Sequence, residues 1–256
     1  MSKTIFVAGA GGVIGSPLVK LLVDEGYTVF GSTRREERAD YLRSLGATPW
    51  VGDVFDRERL AQAFIKIAPS AVIHQLTDLP RGLAPSEMAA AIARNAKIRT
   101  DGTRNLISAM RASGCDRIVA QSIAWAYAPG AKPYEEDAAL DLNAEGLRQI
   151  SVGGIAALEQ QVLCTAQIHG AVLRYGHLYG PGTGAEHPGG ASALHVEAAA
   201  YAALLALRFN ASGVFNIAEA EAEVSSEKAR RVLRWTPELR LPCAIRVKSA
   251  PGEALC

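Results

Sequence analysis

Short apolar runs alternate with longer amphipathic stretches along most of this 256-residue chain. The apolar runs are rich in valine, isoleucine and aromatic residues, which favour strands. The stretches between them carry apolar residues at helical spacing. Strands are therefore predicted over residues 5–7, 28–31, 50–53, 71–74, 118–122, 171–175 and 214–217. Alternating strands and helices indicate an α/β fold with a doubly wound parallel sheet.

The first predicted strand breaks into a glycine-rich turn that runs directly into a helical pattern. The three glycines of the turn are separated by two residues each, and Ile14 stands where a Gly-x-Gly-x-x-Gly fingerprint needs glycine or alanine. Free N–H groups and the helix dipole make such a turn an anion site. The residues expected to hold a dinucleotide pyrophosphate are Gly9, Gly11, Gly12, Val13, Ile14 and Gly15. The alternative is an ordinary strand–turn–helix with incidental glycines.

The end of the second predicted strand carries cations. Thr33, Arg34 and Arg35 follow it, and no carboxylate appears before Glu36. An acid at this point usually holds a free ribose 2′-hydroxyl, whereas arginine meets a 2′-phosphate. This pattern favours NADP over NAD. The alternative is that the two arginines merely open a solvated helix.

Other contacts to a cofactor are expected where later strands end, because ligands of such sheets bind beyond the carboxyl ends of the strands. The fourth strand is followed by polar and apolar side chains that should border the cofactor. The residues expected there and at the ends of the fifth and sixth strands are Gln75, Leu76, Thr77, Gln121, Ser122, Tyr175 and His177.

The composition of the chain argues against several kinds of partner and site. The formal net charge is +1 and no block of like charges occurs, so neither nucleic acid nor an anionic membrane is an expected partner. No apolar run reaches membrane-spanning length and the chain enters a strand at once, which predicts a cytoplasmic protein without a signal peptide. The four cysteines are scattered and the histidines form no i, i+4 pair, so no metal site is expected.

The domain organisation follows from the same pattern. Residues 1–175 are predicted to form the NADP-binding core, and residues 176–240 a small substrate-binding region interleaved with the last strand. Residues 241–256 lack periodicity and are expected to form a loose tail.

Several motifs occur together in one order along the chain. They are Gly9-x-x-Gly12-x-x-Gly15, Gly52-Asp53-Val54, Val72-Ile73-His74, Gly102-Thr103, Ser122 to Tyr127, Leu173 to Gly182, and Lys228 to Pro237. In this order the chain resembles the extended short-chain dehydrogenases, the NAD-dependent epimerase/dehydratase family. The resemblance implies a Rossmann fold with Asp53 and Val54 beside the adenine. It also implies a homodimer formed by helices around residues 103–111 and 153–163. Glu197 aligns with a family Asp that fixes a helix start, so the resemblance implies that Glu197 caps the helix that begins near His195.

The chain departs from that family at the catalytic positions. The family uses a Ser or Thr four residues before a Tyr, and a Tyr-x-x-x-Lys on the next helix, where Lys lowers the pKa of Tyr and holds the nicotinamide ribose. Here Ile123 lies four residues before Tyr127. Alignment on the next helix places Ser151 at the Tyr position and Ile155 at the Lys position.

Any proton donor must therefore come from elsewhere. The candidate catalytic residues are Ser122, Tyr127 and His177, each with a purely structural alternative. The best interpretation is an NADP(H)-dependent oxidoreductase that transfers hydride to or from a small organic carbonyl or alcohol. Two alternatives remain, a catalytically silent NADP sensor similar to the NmrA-like proteins and an epimerase or dehydratase that uses the cofactor transiently.

Overall fold

A twisted parallel sheet organises the chain. The computed structural model describes residues 3–80, 84–190, 192–219 and 222–244. Its strands are β1 (Thr4–Ala8), β2 (Thr28–Thr33), β3 (Thr48–Val51), β4 (Ala71–His74), β5 (Arg117–Ile123), β6 (His169–Tyr175), β7 (His177–Tyr179), β8 (Ala193–His195) and β9 (Gly213–Ile217). Seven of them form one parallel sheet in the order β3-β2-β1-β4-β5-β6-β9, and β7 pairs with β8 in parallel.

Helices cover both faces of the sheet. They are α1 (Gly15–Asp24), α2 (Ala39–Ser44), α3 (Arg57–Ile67), α4 (Pro85–Lys97), α5 (Thr103–Ser113), α6 (Gly146–Cys164) and α7 (Val196–Arg208). The helices α1 and α7 pack on one face, and α3, α5 and α6 pack on the other. No helix within the described ranges is long and apolar enough to cross a membrane.

The predicted α/β fold with a doubly wound parallel sheet is confirmed. All seven predicted strands are present, although β3 lies two residues earlier than predicted, at Thr48–Val51, while β2 extends to Thr33 and β5 extends to Ile123. Both extensions end in polar or mixed sequence, where the apolar pattern had already stopped. Their backbones remain paired because a neighbouring strand continues alongside, Val51 opposite Thr33 and Tyr175 opposite Ile123.

A continuous helical segment runs from residue 85 to residue 113. The helix α4 begins with Pro85 and runs into a π-helical turn over Ile98–Gly102, which leads directly into α5. A π-turn inserts an extra residue and rotates the side chains that follow it. Here the turn brings Ile98 and Arg99 toward the carboxyl ends of the strands.

The segment after residue 175 shares the main core. The helix α7 is almost entirely buried against α1, and Trp235 is fully buried, where its indole N–H donates to the carbonyl of Ala198 at 2.8 Å. Leu241, expected to open the loose tail, is buried, and its N–H donates to the Glu197 carboxylate at 3.0 Å. Apolar side chains hold residue 241 in place; residues 245–256 lie outside the described residues.

The start of α7 differs from expectation. His195 is the N-cap residue, because its Nδ1 accepts from the N–H of Glu197 at 3.2 Å. Glu197 itself is 5% exposed and its carboxylate accepts from Leu241. The prediction that Glu197 caps the helix is therefore wrong. Its side chain binds a distant segment that the local sequence does not show.

Candidate functional site

A cavity of about 770 Å³ lies at the carboxyl ends of the strands. It opens beside β1, where the sheet order changes direction between β2 and β4. In parallel α/β sheets the crevice at this point is the usual ligand site. The turn after β1, the ends of β2, β4, β5 and β6, and the helices α4 and α6 all contribute lining residues.

The glycine turn forms one wall of the cavity. Gly9 adopts φ +87°, and a Cβ there would lie 2.6 Å from the carbonyl oxygen of Gln75. A Cβ on Gly15 would overlap the carbonyl of Gly9, so both positions require glycine for the turn to close. Gly12 differs because it faces the cavity, and a Cβ added there would meet only the Gly9 oxygen, at 3.2 Å. No side chain caps the N-terminus of α1. The wall is thus bare backbone beside a helix N-terminus, which suits a pyrophosphate.

The predicted turn residues divide into two groups. Gly9, Gly11, Gly12, Val13 and Ile14 line the cavity, and Gly15 lies behind them as the first residue of α1. The hydroxyl of Ser32 accepts from the Gly9 N–H at 3.1 Å and holds the turn against the end of β2. Sequence reasoning missed this contact, since it joins residues on different strands.

Arginines surround the end of β2. Thr33, Arg34 and Arg35 all line the cavity, as expected, and Arg38 from the next turn joins them. The Arg34 guanidinium lies 3.3 Å from the Asp78 carboxylate, and both Arg34 and Arg35 are more than half exposed. These side chains are therefore free to rearrange around a bound anion. Asp53 and Val54 line the cavity on the β3 side, where Asp53 accepts from the N–H of Phe55 at 2.9 Å.

The end of β4 supplies an unpaired polar atom. Gln75, Leu76 and Thr77 line the cavity, and the Gln75 amide donates to the Tyr175 hydroxyl at 3.4 Å. The other amide atom, Gln75 Oε1, is buried without a hydrogen-bond partner among the described residues. A buried acceptor of this kind is costly unless a ligand satisfies it. Together with the glycine wall, it fits a dinucleotide whose amide or hydroxyl groups donate.

The predicted residue Ser122 has an unexpected partner. Its hydroxyl is buried and donates to Glu159 Oε1 of α6 at 2.7 Å. Two hydrogen bonds join the same carboxylate to Arg174 of β6, at 2.9 Å and 2.6 Å. Burial opposes the charge of Arg174, but the hydrogen-bonded carboxylate of Glu159 raises its pKa. The register of the sheet places Arg174 opposite Ser122, which is why the three groups meet.

Tyr127 lies outside the cavity lining. Its hydroxyl is buried, donates to Asn216 Oδ1 at 2.6 Å and accepts from Arg174 at 2.8 Å. Burial raises the pKa of this phenol, although Arg174 opposes the shift. The hydroxyl is therefore held in a packed network with no face toward the cavity. This position argues against the expectation that Tyr127 is catalytic and favours its structural alternative.

His177 and Trp125 line the outer part of the cavity. Their rings are parallel within 2°, with centroids 6.4 Å apart, and both side chains are exposed. His177 is thus reachable by solvent and by a ligand. The other histidine of this region, His74, is buried, and burial with the charge of Arg99 lowers its pKa to about 4. His74 is therefore neutral at pH 7.

The helix α6 presents serine to the cavity. Ser151 lines it, whereas Ile155, one turn later, is fully buried with Ala126 and Val152.

Gln121 also lines the cavity, with its amide donating to the carbonyl of Leu76 at 3.3 Å. Tyr175 completes this region with a hydroxyl that donates to Ala199. We call the part of the cavity lined by Ser122, Ser151, Tyr175 and His177 the β5–β6 end.

The sheet topology and the cavity define a dinucleotide-binding α/β protein of the Rossmann class. The family model for the NAD dependent epimerase/dehydratase family matches residues 5–203. The chain belongs to this family, and the predicted resemblance is confirmed.

Known relatives agree on the fold. The chain is 36% identical to a 3-diazoavenalumate denitrifying reductase of a Streptomyces species over 94% of this chain and 85% of the relative. Among solved structures, a UDP-glucose 4-epimerase from Stenotrophomonas maltophila with bound NAD matches at TM-score 0.73 and 19% identity, over 93% and 94% of the two chains. The Thermus thermophilus UDP-glucose 4-epimerase with NAD matches at TM-score 0.72 and 20% identity, over 96% and 97%.

Proposed function

We propose that this protein is an NADPH-dependent reductase whose substrate accepts a hydride without requiring a proton from the enzyme. The substrate class we infer is a carboxylate that bears a diazo group in its cationic, diazonium form. The predicted reduction of a carbonyl is the second candidate. The observation that carries the proposal is the direction of the hydrogen bond from Ser122 to Glu159.

A hydroxyl that donates to a carboxylate cannot donate the same proton to a substrate. The Glu159 carboxylate forms an ion pair with Arg174 and accepts the Ser122 proton, so the Ser122 hydroxyl oxygen has only lone pairs left for the cavity. The Tyr175 proton is directed to the Ala199 carbonyl, and burial raises the pKa of that phenol. Carbonyl reduction leaves an alkoxide that must be stabilised or protonated. The β5–β6 end suits an electron-poor group better than an oxyanion.

The denitrifying relative offers a reaction of this kind. When hydride replaces a diazonium group, a C–H bond forms, the C–N bond breaks, and its electron pair leaves with N₂. Charge balances because the cationic substrate takes up one hydride, and no proton enters. The loss of the Tyr-x-x-x-Lys pair at Ser151 and Ile155 is then no obstacle to catalysis.

The cofactor assignment rests on the walls of the cavity. Bound NADPH would supply the hydride. The glycine turn would hold its pyrophosphate, and Arg34, Arg35 and Arg38 would meet the 2′-phosphate. Gln75 Oε1 would accept a hydrogen bond from an amide or hydroxyl of the cofactor.

The test is to incubate the protein with NADPH and 4-carboxybenzenediazonium and to measure NADPH oxidation and N₂ release. We expect equal amounts of both, above the rate without protein, and benzoate as the product. Benzaldehydes with the same carboxyl group serve as the carbonyl comparison. Tight NADPH binding without turnover of either class would contradict the proposal and favour a sensor.

The second candidate depends on His177. This histidine lines the β5–β6 end, and imidazole is the side chain that most readily exchanges protons near neutral pH, so it is the residue best placed to protonate an alkoxide. Loss of a general acid costs about 10²- to 10⁴-fold in rate. In the diazo reaction we expect His177→Ala and Ser151→Ala to stay within a few-fold of wild type. Turnover of the benzaldehyde by the wild type, with a loss of that larger size for His177→Ala, would favour carbonyl chemistry instead.

A further inference from the structure

A buried guanidinium faces the cavity without a partner. Arg99 is 9% exposed and lines the cavity beside Ile98. Among the described residues no hydrogen bond or ion pair joins its side chain to the protein, and its guanidinium nitrogens remain open to the cavity. Most buried charges in proteins are paired, because removing an ion from water without compensation is unfavourable. An unpaired cation at a cavity wall therefore indicates a binding partner that arrives with a ligand.

The charge persists at neutral pH. Burial lowers the pKa of Arg99 to about 10, which leaves the guanidinium protonated at pH 7. The neighbouring His74 offers no compensation, because its Nδ1 already accepts from the N–H of Leu76. Arg174 provides the internal contrast: it is also buried, yet Glu159 and Tyr127 satisfy it. The guanidinium of Arg174 thus has protein partners without a ligand, whereas that of Arg99 has none among the described residues.

The local backbone holds Arg99 in this position. It belongs to the π-helical turn over Ile98–Gly102, and such turns are frequent at functional sites. The turn is fixed from behind by α6, where a Cβ on Gly154 would lie 2.8 Å from the Ala96 Cα. Gln161 of α6 also donates to the Thr100 carbonyl at 3.1 Å. The turn that carries Arg99 thus packs against α6, the helix that carries Ser151.

We propose that Arg99 binds the carboxylate of the substrate and so orients it in the cavity. Naming the anion a substrate carboxylate rests on the proposed function. The anionic groups of the cofactor have other partners in that scheme, the glycine turn and the arginines after β2. Arg99 lines the cavity from the α4 side instead, on the face of the helix that also carries Met88, Ile92 and Asn95. A cation in a wall that also contains apolar side chains suits a ligand with one anionic end and an apolar body.

The experiment measures binding of unreactive probes to the NADP⁺-loaded protein by calorimetry. Cinnamate carries the carboxylate, and cinnamamide is its neutral counterpart. Since charged hydrogen bonds contribute more than neutral ones, we expect Arg99→Met to weaken cinnamate binding about 10- to 100-fold. Binding of cinnamamide should not change, and Arg99→Lys should restore part of the loss. Arg208→Met, which changes an exposed arginine of α7 that is paired with Glu25, is the matched control and should have no effect.

A second measurement separates a binding role from a structural one. Without ligand, Arg99→Met should unfold at the same temperature as wild type or higher, because the substitution removes an unpaired buried charge. Lower stability with unchanged binding would overturn the proposal, as would a wild-type protein that does not prefer cinnamate. Weakened NADPH binding with unchanged cinnamate binding would assign Arg99 to the cofactor and also overturn it. Because the probes do not react, these results stand apart from the diazo reaction.

Discussion

Two buried guanidinium groups at the same edge of the sheet serve different purposes. Arg174 is completed by Glu159 and by the Tyr127 hydroxyl, and it fixes the direction of the Ser122 proton. Arg99 has no such partner in the described part of the chain and faces the cavity. At the residue scale, the chemistry of the site follows from which polar groups are satisfied by the fold and which are left for a ligand.

The first prediction concerns the turn residue that faces the cavity. Gly12→Val should reduce NADPH affinity by about 100-fold or more, since a side chain there blocks approach of the pyrophosphate to the backbone. The fold should survive, because Gly12 is not in the left-handed region and a Cβ at this position meets only the Gly9 oxygen. Fluorescence titration and circular dichroism measure the two effects. Unchanged binding in a folded variant would show that the phosphate lies elsewhere.

The second prediction concerns cofactor choice. Changing Arg34 and Arg35 together to alanine should weaken NADPH binding about 10- to 100-fold, because in the proposed assignment each guanidinium would make charge-assisted hydrogen bonds to the 2′-phosphate. NADH lacks that phosphate, so its affinity should stay the same and serves as the control. Titration of wild type and variant with both cofactors tests this. Equal affinity of the wild type for NADPH and NADH would refute the NADP assignment.

At the scale of elements, the contact between α4 and α6 positions the π-turn. Gly154 allows the helices to touch at Ala96, whereas a Cβ on the adjacent Gly153 would meet nothing within 4 Å. The close helix contact therefore requires glycine at residue 154, whereas residue 153 has room for a larger side chain. The contact matters for function because it holds the turn that carries Arg99 beside the helix that carries Ser151.

The third prediction uses this pair of glycines as its own control. Gly154→Ala should lower the free energy of unfolding by about 1–3 kcal/mol, because the added methyl forces the helices apart. Gly153→Ala should raise it by about 0.5–1 kcal/mol through helix propensity. Urea unfolding monitored by circular dichroism measures both. Equal effects of the two substitutions would mean that the helices do not meet at residue 154.

At the scale of the whole molecule, the fourth prediction is the homodimer implied by the family. A groove between α5 and α6, lined by Ile107 and Ala157 among others, is a suitable interface. We expect a dimer by light scattering at micromolar concentration, and Ala157→Arg should convert it to a monomer by placing a charge at the contact. Val232 is exposed on the opposite side of the sheet, so Val232→Arg is the control and should leave the dimer unchanged. A monomeric wild-type protein would contradict the prediction.

The local sequence was enough to predict the sheet, the glycine turn and many of the residues that line the cavity. A strand, its following turn and the next helix start lie within a few residues of each other, so their pattern carries the information. The positions of Arg34, Arg35, Gln75 and Ser122 at the cavity follow for the same reason, because parallel strands end at one edge.

Only the tertiary structure decided what the side chains at this edge do. Ser122 meets Glu159 across 37 residues of sequence, and Tyr127 meets Asn216 across 89, so no local pattern shows that both hydroxyls are already engaged. Arg99 resembles any polar residue of an amphipathic helix until the π-turn and the packing of α6 place it at the cavity. Sequence periodicity determines which elements form, whereas hydrogen-bond satisfaction depends on how distant elements pack.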